Sequence, residues 1–122
     1  MSDKASVPNR PTVVCLCGSV RFATSFREQR ERLTLEGYIV VGPEILDTGL
    51  SHSVEPVKVA LDQLHLRKID LADEIFVVNV DGYYGASTSR EIAYARRLGK
   101  PIRWLVPQST DALAPDDDGR AP

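Results

Sequence analysis

Apolar residues in this chain form short unbroken runs that alternate with longer stretches of helical spacing. A short unbroken apolar run is typical of a strand that is buried on both faces of a parallel sheet. Four such runs span residues 12–17, 38–42, 74–80 and 101–106. Stretches with apolar spacing near 3.6 predict three helices, over residues 22–36, 53–72 and 88–98.

The alternation of strands and helices predicts a three-layer α/β fold, with a parallel sheet covered by helices on both sides. Right-handed crossovers restrict its topology, and the simplest doubly wound arrangement has four strands in the order 2-1-3-4, with a fifth allowed. We expect a single domain over residues 12–106. Residues 1–11 are expected to form a flexible arm, and residues 107–122, rich in Pro, Ser and Asp, a disordered tail.

Composition narrows the class of partner. The chain has 122 residues and a net charge of −2, which gives no electrostatic footprint for nucleic acid. No apolar run reaches the length of a membrane span, and the polar N-terminus lacks a signal-peptide core. We therefore expect a cytoplasmic protein without a membrane partner.

Cys15 and Cys17 are the two cysteines of the chain, and both fall in the first predicted strand. Alternation along a strand points them to one face, in a geometry too extended for a routine disulfide. A Cys-x-Cys pair without a second pair is poor evidence for zinc. We expect two buried, reduced thiols and no metal site.

The predicted strand order reverses between strands 1 and 3, and ligands in such sheets bind at the carboxyl ends of the strands that flank this switch point. Two loops lie there, residues 18–21 and residues 81–89. They are also the two most unusual stretches of the sequence. This agreement between topology and composition predicts a binding site at that edge of the sheet.

The first loop combines a glycine, a hydroxyl and a guanidinium. Gly18 allows close approach of the backbone, Ser19 can donate a hydrogen bond, and Arg21 can bind a phosphate or carboxylate through two hydrogen bonds. Neither a Walker A sequence nor a dinucleotide fingerprint is present, so no cofactor is predicted. The alternative interpretation is an ordinary turn followed by an exposed arginine.

The second loop leads into a helix that carries Glu91, which we place in its first turn. A carboxylate there can attack an electrophilic carbon beside a bound phosphate or sugar. Alternatively, Thr88 and Glu91 form a capping box, in which the glutamate only binds the backbone N–H of Thr88. Ser87, Thr88 and Ser89 either bind a phosphate or cap the helix.

Four further side chains have two interpretations each. Tyr83 and Tyr84 either stack on a base or cover the loop. His65 is either a proton donor or a structural residue of the second helix. Asp81 ends the third strand, where it is either a proton donor or a turn residue. No role is assigned to His52.

These stretches resemble the nucleoside 2-deoxyribosyltransferase-like superfamily, in particular its 2′-deoxynucleoside 5′-monophosphate N-glycosidase branch. The resemblance covers roughly residues 12–106. It is carried by residues 17–21 (Cys-Gly-Ser-Val-Arg), residues 71–78 (Leu-Ala-Asp-Glu-Ile-Phe-Val-Val), Gly85, residues 91–95 (Glu-Ile-Ala-Tyr-Ala) and residues 99–102 (Gly-Lys-Pro-Ile).

The resemblance implies a flavodoxin-like fold and cleavage of an N-glycosidic bond without metal. It places the nucleophile at Glu91, phosphate-binding groups at Ser19 and Arg21, and a small-residue phosphate loop over residues 85–89, which begins at Gly85. The branch carries an aspartate in the helix before strand 3, where this chain has His65. Members of the family are homodimers, and the apolar residues of the second predicted helix occupy more than one side, so we expect a homodimer here.

Cleavage of a glycosidic C–N bond passes through an oxocarbenium-like transition state, which a carboxylate stabilises or traps as an ester. We therefore predict an N-glycosidase that hydrolyses a (deoxy)nucleoside 5′-monophosphate. Two alternatives stay open: a nucleoside 2-deoxyribosyltransferase that exchanges bases, and a nucleotide-sensing module without turnover.

Overall fold

The structure is a computed structural model that describes residues 9–43 and 55–108. Within these residues the chain forms one parallel sheet. Its strands are β1 (Val13–Cys17), β2 (Ile39–Val41), β3 (Glu74–Val77) and β4 (Ile102–Trp104), in the order β2-β1-β3-β4. The predicted fold class and strand order are confirmed.

Three helices connect the strands: α1 (Ala23–Leu35), α2 (Glu55–Leu71) and α3 (Ala86–Arg97). Short 3-10 turns follow β1 and β3, at Val20–Phe22 and Val80–Gly82. No helix in the described ranges is long and apolar enough to cross a membrane. Ser53, where the second predicted helix begins, lies outside the described residues, as does His52.

Alternation along the strands divides the core into two layers. Cys15, Cys17 and Ile75 point to the side covered by α2 and α3, where Ile69 and Ile92 are buried against them. The opposite layer is built around α1 and consists of Val14, Leu16, Phe26, Leu33, Phe76 and Val78. Each fully buried aliphatic side chain contributes about 1.5–3 kcal/mol, so β1 and β3 are held from both faces.

The third strand is shorter than predicted. The run of residues 74–80 pairs as a strand only to Val77, and the chain then enters the 3-10 turn. The fully buried side chain of Asn79 explains this end, because its amide donates to the carbonyl of Val106 and accepts from its N–H, both at 2.9 Å. A side chain thus replaces the backbone pairing of β3 with the chain after β4.

Helix α3 begins two residues earlier than predicted. Gly85 precedes it in an extended conformation, and the Gly85 carbonyl accepts the N–H of Ser89 at 2.9 Å. Glu91 therefore lies in the second turn, and the first turn contains no acidic residue. The predicted capping box of Thr88 and Glu91 is wrong, because Thr88 already lies inside the helix and is buried.

The N-terminal side of the domain is fixed by Asp73, between α2 and β3. Its carboxylate accepts the guanidinium of Arg10 at 2.9 Å and the N–H of Val13 at 2.8 Å. Arg10, which we assigned to the flexible arm, is thus tied to the sheet. Residues 1–8 of that arm and residues 109–122 of the predicted tail lie outside the described residues.

Candidate active site

A cavity of about 260 Å³ opens at the carboxyl ends of β1 and β3, where the topology predicted a site. Its walls come from the loop after β1, from one side of α2, and from the segment that leads into α3. Gly18 and Gly85 form part of the backbone wall. The polar and reactive lining residues are Ser19, Lys58, Asp62, His65, Lys68, Tyr83, Ser87, Thr88 and Glu91.

Glu91 is the most buried acid of this cavity. Its side chain is 13% exposed, and its Oε1 lies 3.5 Å from His65 Nε2. That oxygen makes no hydrogen bond in the part of the chain that the structure describes. Burial raises the pKa of the carboxyl to about 7, although the charge of His65 acts in the opposite direction. A carboxylate oxygen without a hydrogen bond among the described residues, on a residue that lines a cavity, is available to a ligand.

His65 connects Glu91 to the two cysteines. Its Nε2 lies 3.4 Å from Cys17 Sγ and 3.8 Å from Cys15 Sγ, and Nδ1 has no hydrogen-bond partner among the described residues. Burial lowers the pKa of His65, but the hydrogen bond with Cys15 and the charge of Glu91 outweigh it, so the pKa is raised. The imidazole is therefore biased toward its charged form beside Glu91.

The two thiols are free and fully buried, and they share one face of β1 as predicted. Their mutual hydrogen bond lowers the pKa of Cys15 to about 6, helped by His65, and raises that of Cys17. Sequence reasoning missed that these thiols lie against a histidine. No local signal could reveal it, because His65 is 48 residues from Cys17 in the chain.

Most of the predicted phosphate ligands line the cavity, and two of them, Ser89 and Arg21, do not. Ser19, Ser87 and Thr88 line it, whereas Ser89 is exposed and lies outside the lining. Sequence reasoning missed Lys58, whose Nζ lies 3.3 Å from Ser87 Oγ and 3.0 Å from an Asp62 carboxylate oxygen. The cavity thus contains a cation beside the predicted hydroxyls.

Arg21 is not among the lining residues. Its guanidinium stacks over the rings of Phe22 and Tyr83, at 5.1 and 4.8 Å from their centroids. Tyr83 itself lines the cavity, so Arg21 lies next to the wall and not inside it.

Two other candidates lie away from the cavity. Asp81 is exposed and has a left-handed backbone (φ 55°) in the 3-10 turn. Tyr84 packs against Trp104 with ring centroids 5.8 Å apart and so covers the loop. Neither residue is among those that line the cavity containing Glu91.

Comparison with known proteins establishes the fold. No family model and no curated protein matches the chain. Among solved structures, a 2-deoxyribosyltransferase from the psychrotolerant bacterium Bacillus psychrosaccharolyticus is similar, with a TM-score of 0.58 at 16% identity, over 81% of this chain and 78% of that chain. A conserved protein from Enterococcus faecalis V583 is similar with a TM-score of 0.54 at 18% identity, over 88% and 77%.

At these identities the comparison shows a shared fold. The class defined by fold and site is therefore an α/β domain with the architecture of a 2-deoxyribosyltransferase and a buried acid at its switch point.

Proposed function

We propose that this protein cleaves the N-glycosidic bond of a nucleoside 5′-monophosphate, with Glu91 as the nucleophile. The observation that carries the proposal is the buried Glu91 carboxylate, whose Oε1 is unbonded within the described residues and which lines the cavity at the switch point. The fold shared with a 2-deoxyribosyltransferase supports a nucleoside as the substrate class.

In the proposed reaction, Glu91 attacks the anomeric carbon as the C–N bond breaks, which gives a glycosyl ester and a free base. The base takes up a proton, and His65 carries that proton, because it is the cationic side chain next to Glu91. Water then hydrolyses the ester and returns the carboxylate, while the proton released returns to His65.

The 5′-phosphate in this proposal binds at the start of α3. The first turn of a helix presents unpaired N–H groups and a partial positive charge, and Ser87 and Thr88 lie in that turn. Lys58 supplies the balancing cation from α2. Arg21, which the sequence suggested for this role, reaches a phosphate only if it leaves the rings of Phe22 and Tyr83.

Base exchange is the second candidate, because the similar solved structure is that of a 2-deoxyribosyltransferase. The same Glu91 ester would then react with a second base and not with water. The two reactions share the first step and differ in the acceptor.

One experiment separates the candidates. The protein is incubated with a panel of nucleosides and nucleoside monophosphates, with and without an added free base, and the products are resolved by chromatography. Release of base without an acceptor supports hydrolysis, whereas exchange that requires an acceptor supports transfer. Binding without products would identify a sensing module.

The test of the nucleophile is Glu91→Gln, which keeps the size of the side chain and removes its charge. We expect turnover to fall by roughly 10³-fold or more, since the variant cannot form the ester. Glu28→Gln, at an exposed position of α1, is the matched control and is expected to leave turnover unchanged. Near-normal turnover of a folded Glu91→Gln protein would falsify the assignment.

We also propose that the protein is a two-fold homodimer that packs through α2 and α3, the helices that flank β3. Three apolar side chains of α2 are strongly exposed in the single chain: Val59 at 49%, Leu64 at 50% and Leu71 at 70%. Their association would remove them from water. Light scattering at micromolar concentration is the measurement, and a fully active particle of 13.5 kDa would contradict the dimer.

A further inference from the structure

Four potential metal ligands lie near one another, and two of them, His65 and Glu91, also line the cavity. Cys15 and Cys17 come from β1, His65 from α2 and Glu91 from α3. The two Sγ atoms and a ring nitrogen of His65 all lie within 4.8 Å of one another. Two thiols, one imidazole and one carboxylate are the ligand types that tetrahedral zinc sites use.

The three separations that His65 Nε2 makes agree with edges of a zinc tetrahedron. With Zn–S near 2.3 Å and Zn–N or Zn–O near 2.0–2.1 Å, a tetrahedron has S–N edges of about 3.5 Å and N–O edges of about 3.3 Å. His65 Nε2 lies 3.4 Å from Cys17 Sγ, 3.8 Å from Cys15 Sγ and 3.5 Å from Glu91 Oε1. All three edges that meet at this nitrogen are therefore within a few tenths of an ångström of the required values.

The burial of these side chains is a second, independent observation in favour of a bound cation. The two cysteines are 0% exposed and His65 is 6% exposed, and Glu91 Oε1 is buried without a hydrogen bond among the described residues. An orphaned buried carboxylate oxygen is costly. A cation at the centre of the cluster would satisfy that oxygen and would hold the thiols as thiolates.

We propose that Cys15, Cys17 and His65 form a binding site for Zn²⁺ or a similar thiophilic divalent cation, with the neighbouring Glu91 carboxylate moving in as the fourth ligand. The two thiolates select against Mg²⁺ and Ca²⁺, which prefer oxygen ligands. Binding displaces the thiol protons and any proton held by His65 or Glu91, and these protons pass to solvent. The bound ion would join β1, α2 and α3 at one point.

The consequence for activity rests on the proposed function. The ion would occupy the carboxylate oxygen of Glu91 and the Nε2 of His65, the same two groups that the proposed cleavage uses. The metal-bound protein is therefore the inactive form, and removal of the ion releases the nucleophile. The site acts as a metal-dependent off switch.

Cobalt is the spectroscopic probe of the site. Protein dialysed against EDTA is titrated with Co²⁺ in a phosphine reductant, without oxygen. We expect one equivalent to bind, with a thiolate-to-cobalt charge-transfer band and the visible bands of tetrahedral Co²⁺. Absence of the charge-transfer band at saturating Co²⁺ overturns the proposal.

Three variants assign the ligands. Cys17→Ser should weaken the charge-transfer band and lower the affinity for Co²⁺. The loss should exceed about 10–100-fold, which is the effect of mutating residues that only hydrogen-bond to a metal ligand. Glu91 is more exposed than the cysteines, so Glu91→Gln is the substitute test if Cys17→Ser does not fold. This variant should keep the charge-transfer band and bind Co²⁺ more weakly. His52→Gln, which removes the other histidine of the chain, is the control and should bind normally. Equal binding by all three variants refutes the site.

Turnover is measured separately. One equivalent of Zn²⁺ should abolish base release, and EDTA should restore it. Unchanged turnover of the zinc-loaded protein overturns the off switch. If the metal-free protein releases no base from any substrate, the proposed glycosidase fails, while the Co²⁺ spectra still decide whether the metal site exists.

Discussion

Lys100 is predicted to be a main anchor of α2. Its Nζ donates to the carbonyls of Ile69 at 2.9 Å, Asp70 at 2.8 Å and Ala72 at 2.6 Å. These groups lie at the C-terminal end of α2, where carbonyls lack helical partners and carry a partial negative charge. The ammonium group therefore satisfies three acceptors just before β3 begins.

The stability that the Lys100 ammonium contributes comes mainly from its two partly buried contacts, those with Ile69 and Ala72. A hydrogen bond to a charged group contributes about 1.5–3 kcal/mol, and water replaces the exposed contact with Asp70. Lys100→Met keeps most of the aliphatic stem, so only the ammonium is tested. We expect a loss of about 3 kcal/mol, which for a domain of this size lowers Tm by roughly 10–20 °C.

Urea and thermal denaturation, followed by circular dichroism, measure this loss. Arg96→Met is the matched control, since Arg96 is an exposed cation in the last turn of α3, and we expect it to change stability by about 0.5 kcal/mol or less. A loss below about 1 kcal/mol for Lys100→Met, at an unchanged urea slope, would show that water solvates the three carbonyls equally well.

Gly18→Ala should cost about 1–3 kcal/mol in urea denaturation, because φ is +155° and the new Cβ would lie 2.9 Å from the Val78 carbonyl; an unchanged midpoint contradicts the close approach. Lys58→Met should raise KM for a nucleoside monophosphate by roughly 10–100-fold and should change KM for the nucleoside little. The increase should exceed that caused by Arg21→Met. A larger increase for Arg21→Met would show that Arg21 is the main phosphate ligand. Turnover of the metal-free protein should rise as pH passes through about 7, when Glu91 ionises; a rate that is level across that range is the contrary result. Because the pKa of Glu91 is raised in the folded protein, its protonated carboxyl contributes fully to stability below pH 4.5. This contribution, up to about 3 kcal/mol, is lost as the pH rises toward 7. Glu91→Gln should remove this pH dependence of the free energy of unfolding.

The parallel sheet was predictable because short unbroken apolar runs alternate with helical spacing, and the strand order because 2-1-3-4 is the simplest doubly wound arrangement with right-handed crossovers. Element ends were less predictable. The end of β3 depends on the amide of Asn79 reaching Val106, and the start of α3 depends on the extended backbone of Gly85. Neither contact leaves a periodic signal in the sequence, and the Ser/Thr cluster before Glu91 suggested a later helix start.

The candidate site was predictable where it depends on topology. Glu91 and the loops that contain Ser19 and Gly85 meet because the carboxyl ends of β1 and β3 are adjacent. Lys58 was not predictable, since the rotation of α2 about its axis is set by packing against the sheet. The stacking of Arg21 was not predictable, because one of the two rings beside it belongs to Tyr83, more than sixty residues away.

The division between helix-borne and loop-borne groups has a consequence for how this protein can evolve. His65 and Glu91 stand next in sequence to Leu66 and Ile92, which pack into the core layer under α2 and α3. A substitution that moves either helix therefore changes the stability of the fold as well as the position of a reactive group, and selection acts on both. Gly82 and Tyr83 lie in a surface turn, and neither of them belongs to a core layer of the described residues. New ligand preferences can accumulate in that turn while the reactive groups stay in place.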